Sequence, residues 1–136
     1  MTRDPSHRFA EHVGEVELEL DAPTREGLFE EATIALGELV AQGPGGGELH
    51  SWEVVVSAAD DAALLAAWLD ELVFRAESER LLPLRAERVT IAGETAHGLV
   101  TGRLGAAPHL VKGVTYHRLV VEERGDGWHA SVVLDV

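Results

Sequence analysis

The stretch from Val111 to Val136 constrains this fold more than any other part of the chain. It opens on Val111-Lys112-Gly113-Val114-Thr115-Tyr116-His117 and continues apolar and β-branched through Leu119-Val120-Val121. After Gly125-Asp126-Gly127 it returns through Trp128 to Val132-Val133-Leu134-Asp135-Val136. Two β-prone runs joined by a Gly/Asp turn make a β-hairpin, with Asp-Gly expected to supply the positive φ angles of a tight turn. Polar residues sit at its ends: Lys112 and His117 around the start of the first strand, and Asp135 near the end of the second.

The rest must pack against that hairpin. Residues 1–8 are polar with a proline and read as a flexible tail, leaving 9–136 as a single domain. From Glu15 to Leu20 the chain alternates strictly, Val16, Leu18 and Leu20 against Glu15, Glu17 and Glu19, as a half-buried strand does. Thr24 is a plausible N-cap for a helix over about 25–41, whose Leu28, Phe29, Ala32, Leu36, Leu39 and Val40 share one face. The glycine-rich 42–47 ends it as a connector, and Trp52, Val54 and Val56 mark a second strand. Ser57 or Asp60 caps a second helix striped by Leu64, Leu65, Trp68, Leu69, Leu72 and Val73. Strands at 88–91 and 98–104 then turn near Gly93-Glu94, and the linker 105–109 leads into the hairpin. The order is β-α-β-α followed by four strands. Short turns between the late strands make the sheet largely antiparallel, with two helices packed on one face: an α+β fold.

Composition narrows the function. With 24 acidic and 11 basic residues the net charge is −13. Such a surface repels phosphate backbones, so broad nucleic-acid binding is not expected, whereas hard cations or a basic protein partner suit it. There is no cysteine, hence no disulfide or thiolate metal site, and a cytoplasmic location is compatible. No apolar run approaches the roughly 20 residues that span a bilayer, so no membrane role is expected.

Reaction chemistry is hard to find. The seven histidines show no zinc spacing, and His12-x-x-Glu15 begins a strand, where the helical metalloprotease motif does not apply. No serine lies in a G-x-S-x-G turn, and the glycine loop lacks the Lys-Ser/Thr of a phosphate loop. If the first and last strands are neighbours, Glu15 and Asp135 approach each other with Val136 beside them, and carboxylate and carbonyl oxygens are what hard cations take. Against this stands the common case of alternating glutamates on a solvated strand face. Lys112 at a strand start is equally ordinary as a solvated surface charge.

Four segments in the same order carry a resemblance: Phe9-Ala10-Glu11-His12-Val13-Gly14-Glu15, Leu28-Phe29-Glu30-Glu31-Ala32, Trp68-Leu69-Asp70-Glu71-Leu72, and Val111-Lys112-Gly113-Val114-Thr115-Tyr116-His117 with the closing Val132-Val133-Leu134-Asp135-Val136. Together they resemble the archease family. The resemblance implies a non-catalytic accessory protein that activates an RtcB-type RNA ligase of tRNA splicing and RNA repair by promoting its GTP-dependent guanylylation and turnover. It also implies a divalent metal, most often calcium with Mg²⁺ or Mn²⁺ as alternatives, on Glu15, Asp135 and Val136. His12, Lys112 and His117 become the partner-facing polar candidates. The family has His-Thr-Ala-Asp where this chain has His12-Val13-Gly14-Glu15, so metal binding is expected to be weakened or shifted in selectivity. The other readings are a metal-independent chaperone for an RNA-processing enzyme, and a small metal-dependent hydrolase using Glu15 or Asp135 as base and His12 or His117 as acid.

Overall fold

The structure is a computed structural model that describes residues 4–40, 47–105 and 111–136. Its elements run β1 (Ser6–His12), β2 (Glu15–Ala22), α1 (Arg25–Val40), β3 (Leu49–Ser57), α2 (Asp61–Glu79), β4 (Leu81–Ala92), β5 (Thr95–Leu104), β6 (Gly113–Arg124) and β7 (Gly127–Asp135). Every strand pairing is antiparallel, and the class is α+β as expected. The strands divide into two sheets, of order β1-β2-β7-β6 and β3-β5-β4.

Three expectations need correction. The tail is shorter than residues 1–8, because Ser6, His7 and Arg8 already belong to β1 and pair with Asp21, Leu20 and Glu19. Polarity misleads there: β1 is an edge strand lying mostly in solvent, so it needs no apolar alternation. The chain reverses at Val13-Gly14, where Gly14 takes φ +75°, so the opening run is a hairpin rather than one strand. At the closing hairpin the loop is Gly125-Asp126, with the positive φ at Gly125. Glycine in the first loop position belongs to a II′ turn, not to the Asp-Gly turn anticipated.

The alternation of β2 is fully expressed: Val16, Leu18, Leu20 and Ala22 are buried, while Glu15, Glu17, Glu19 and Asp21 take the opposite face. Thr24 caps α1 by accepting from the Gly27 amide at 3.0 Å, and Asp60 rather than Ser57 caps α2, accepting from Ala63 N at 2.8 Å. Ser57 ends β3 and bonds Thr95 across the strands. Both helices pack on strands of both sheets, so one core joins Leu18, Leu20 and Val132 of the larger sheet to Val54 and Val100 of the smaller. At its centre the Trp68 ring meets Phe29 edge to face, with centroids 5.7 Å apart. Pro83 stands on β4, an edge strand, where its missing N–H breaks no ladder bond within a sheet interior. The glycine connector lies, apart from Gly47, outside the described residues, as does the linker beyond Gly105.

Candidate functional site: a carboxylate pair on the outer sheet face

The pairing of β2 with β7 sets Glu15 directly opposite Asp135, and the pairing of β6 with β7 sets Gly113 on Asp135's other side. His12 faces Glu15 from β1. One row therefore crosses all four strands as His12, Glu15, Asp135, Gly113, its side chains on the sheet face away from the core. Cross-strand partners have Cβ atoms about 4.5–5.5 Å apart, and like charges placed so are mutually destabilising. Among the described residues, no hydrogen bond or ion pair engages the side chain of Glu15 or of Asp135. Val136 is held beside them by its N–H, which donates to the Gly14 carbonyl at 3.0 Å. The Lys112 N–H donates to the Asp135 carbonyl at 2.7 Å, fixing the start of β6 against the same end of β7.

The neighbouring carboxylates on this face are differently placed. Glu17 accepts from Ser131 Oγ at 3.0 Å, with Arg118 Nη1 at 3.6 Å and His12 Nε2 at 3.8 Å. Glu19 takes a 3.0 Å bond from Arg8, and His129 Nδ1 lies 3.2 Å from Asp21. These groups have partners within the protein, so the plain solvated face anticipated for the alternating glutamates describes neither Glu17 nor Glu19. The Glu15–Asp135 pair differs from them in having no hydrogen bond or ion pair to either side chain among the described residues.

The donor set fits such an ion in part. Two carboxylates and a backbone carbonyl are hard oxygen donors. Among the described residues no group of three or more His, Cys, Asp or Glu side chains converges on a metal position. Calcium, with about six to eight oxygens in a flexible shell, accepts carbonyls and waters to complete the set; magnesium demands near-ideal octahedral geometry. The longer Glu15 side chain suits the flexible ion better.

Of the partner-facing candidates, His12 sits at the end of the row, and Lys112 is exposed beside it. His117 is exposed further along β6, in a segment the sequence did not reveal. The register jumps from Thr115↔Val133 to Val120↔Ser131, so residues 116–119 bulge out opposite the single Val132. Arg118 occupies the left-handed region there, at φ 57°, and reaches back across β7 to Glu17. Nothing in the residue pattern of β6 marks this bulge. The structure also shows no helix among the described residues long and apolar enough to cross a membrane.

Comparison with known proteins agrees with this architecture. The profile of the Archease protein family (MTH1598/TM1083) matches residues 7–136. Relatives include "Protein archease" of Methanosarcina barkeri, 27% identical over 96% of this chain and 95% of its own length. "Protein archease" of Pyrobaculum neutrophilum is 28% identical with the same coverage. "Probable protein archease" of Mycobacterium tuberculosis is 29% identical over 96% of this chain and 74% of its own. In fold, the chain is similar to the solution structure of Methanobacterium thermoautotrophicum protein 1598, with TM-score 0.72, 22% identity, and 96% and 98% of the two chains covered. It is also similar to the crystal structure of an archease, described as a possible chaperone, from Thermotoga maritima, with TM-score 0.65, 18% identity, and coverage of 100% and 98%. With a profile match across nearly its whole length and the fold of the family's solved members, this chain belongs to the archease family.

Proposed function

We propose that this chain is an accessory protein that activates an RtcB-type RNA ligase, promoting its GTP-dependent guanylylation and turnover, and that it uses a divalent cation held by Glu15 and Asp135 with the carbonyl of Val136. The observation that carries the reading is the in-register Glu15–Asp135 pair, two adjacent carboxylates with no ion pair to either side chain among the described residues. When bound, the ion supplies positive charge and open oxygen coordination at the surface. The chain's own residues do the rest: β7 and β2 hold the carboxylates side by side, and Lys112 and His12 flank them as donors for a partner. A net charge of −13 supports docking on a basic protein surface rather than on RNA. Calcium is the ion this donor set favours.

The test is multiple-turnover ligation of broken RNA with GTP by the same organism's ligase, with and without this protein. We expect turnover to rise with the wild type and the gain to be lost with Asp135→Ala. If Asp135→Ala activates as well as the wild type, the protein works as a metal-independent chaperone. If neither protein raises turnover, the ligase role is wrong.

A further inference from the structure

The N-terminal half of β1 is fastened to α1 by one side chain. His7 projects from β1 onto the core side of the sheet, opposite Leu20, and places each ring nitrogen on a different carboxylate of α1. Nδ1 lies 2.5 Å from Glu31 Oε2 and Nε2 lies 2.7 Å from Glu38 Oε2. The ring also meets Phe9 edge to face, at 5.5 Å between centroids. This is not a chelating arrangement, because the two carboxylates sit on opposite edges of the ring. It is a demand for two donors. Ionised carboxylates only accept hydrogen bonds, and a neutral imidazole carries a single N–H, so both contacts are satisfied only by the imidazolium.

Beyond its backbone ladder to β2 and the exposed Arg8–Glu19 pair, little else holds this segment. Apart from half-buried His7, β1 is exposed along its length, and its outer edge is unpaired among the described residues. The groups facing His7 are Glu31 and Glu38 from α1, the Phe9 ring from β1 and apolar Leu20 from β2. Arg8 points to the other sheet face, toward Glu19.

We propose that His7 is a proton-operated clip, which docks β1 on α1 as the imidazolium and releases it as the neutral ring. Burial lowers the affinity of His7 for its proton, but the hydrogen bonds and charges of Glu31 and Glu38 together outweigh it and leave the pKa raised above 6.5. A histidine raised in the folded state contributes its full stabilisation below the unfolded value and loses it as pH rises through the folded value. The clip is therefore closed below pH 6.5 and opens as pH rises through the raised folded value. This inference does not rest on the metal reading, since His7 faces the opposite side of the sheet from Glu15.

The test follows the ring and the strand in the full-length protein. By NMR, the His7 ring protons should titrate with a midpoint above 6.5. Protection of the β1 amides against hydrogen exchange, corrected for intrinsic rates, should fall by about tenfold or more across that midpoint, as expected when charge-assisted bonds are lost, while β2 and β7 hold theirs. In His7→Gln, β1 protection should be low at every pH. A His7 midpoint at or below 6.5, or β1 protection in the wild type that ignores pH, would overturn the clip, and both readings come from the unmodified protein.

Discussion

Glu15 and Asp135 are two carboxylates that the backbone register forces together, and their sign of effect depends on what is in solution. Without a divalent ion, Glu15→Gln removes a like-charge cross-strand contact and should stabilise the fold by about 0.5 kcal/mol. With calcium the order reverses, because a ligand at 100 times its Kd adds about 2.7 kcal/mol to the wild type only. Thermal melts of both proteins, in chelator and in calcium, should therefore cross; parallel shifts would remove the pair from cation binding. Glu15→Asp, the residue that the family resemblance places there, should tighten calcium binding in the same melts. A second residue-scale prediction lies in the core. Trp68 Nε1 donates to Thr33 Oγ1 at 3.0 Å, and that hydroxyl donates in turn to the Phe29 carbonyl at 2.8 Å. Thr33→Val keeps the shape but strands the indole N–H in a site with no water access, at a cost of about 1–3 kcal/mol by urea unfolding. The Glu15–Asp135 pair could be anticipated from the alternation of β2 and the position of Asp135, given only that their strands adjoin. Thr33 carries no such mark, since a threonine within a helix reads the same whether or not an indole reaches it.

Among the elements, α1 comes very close to the backbone of β4. A Cβ at Gly37 would lie 2.1 Å from the Pro83 carbonyl oxygen, so the helix rests on bare strand backbone there. Gly37→Ala gains helix propensity, about 0.8–1.0 kcal/mol, but must push β4 away, and overpacking of this kind costs about 1–3 kcal/mol. The net effect should be a lower urea midpoint; a rise would mean that β4 yields freely. The strands, expected in one sheet, divide into two. Periodicity located α1, α2 and β2, which bury residues at a fixed repeat, while β-branched runs and turn residues marked β3 and the closing hairpin. Neither signal says which strands share an edge. β1 was hidden for a related reason: an edge strand has no buried stripe to declare it, and beyond its ladder to β2 it is tied to α1 by a single histidine meeting two glutamates distant in sequence. The β6 bulge was hidden because Tyr116-His117-Arg118 is as compatible with regular strand as with a loop, and the positive φ at Arg118 is imposed by tertiary context.

At the scale of the whole molecule the charge of −13 acts as a field rather than as contacts. At about 0.01 M salt the screening length is roughly 30 Å, comparable to the protein itself, and at 0.15 M it is about 8 Å. Self-repulsion of the compact state should ease over that range, whatever the ion. The response of a partner is opposite in sign. If a basic ligase surface is drawn to this face, the long-range attraction that guides encounter weakens as salt rises, and the association rate should fall by about tenfold or more between those two concentrations. Stopped-flow association at the two salts separates guidance from contact: the rate constant should drop steeply, while the off-rate changes little. Replacing Glu15 and Asp135 together should change the salt slope only slightly, because two charges are a small part of the field, yet it should abolish calcium's effect on the complex. An association rate indifferent to salt would mean that the acidic surface serves solubility, and that docking is carried by local contacts around Lys112, His12 and the β6 bulge.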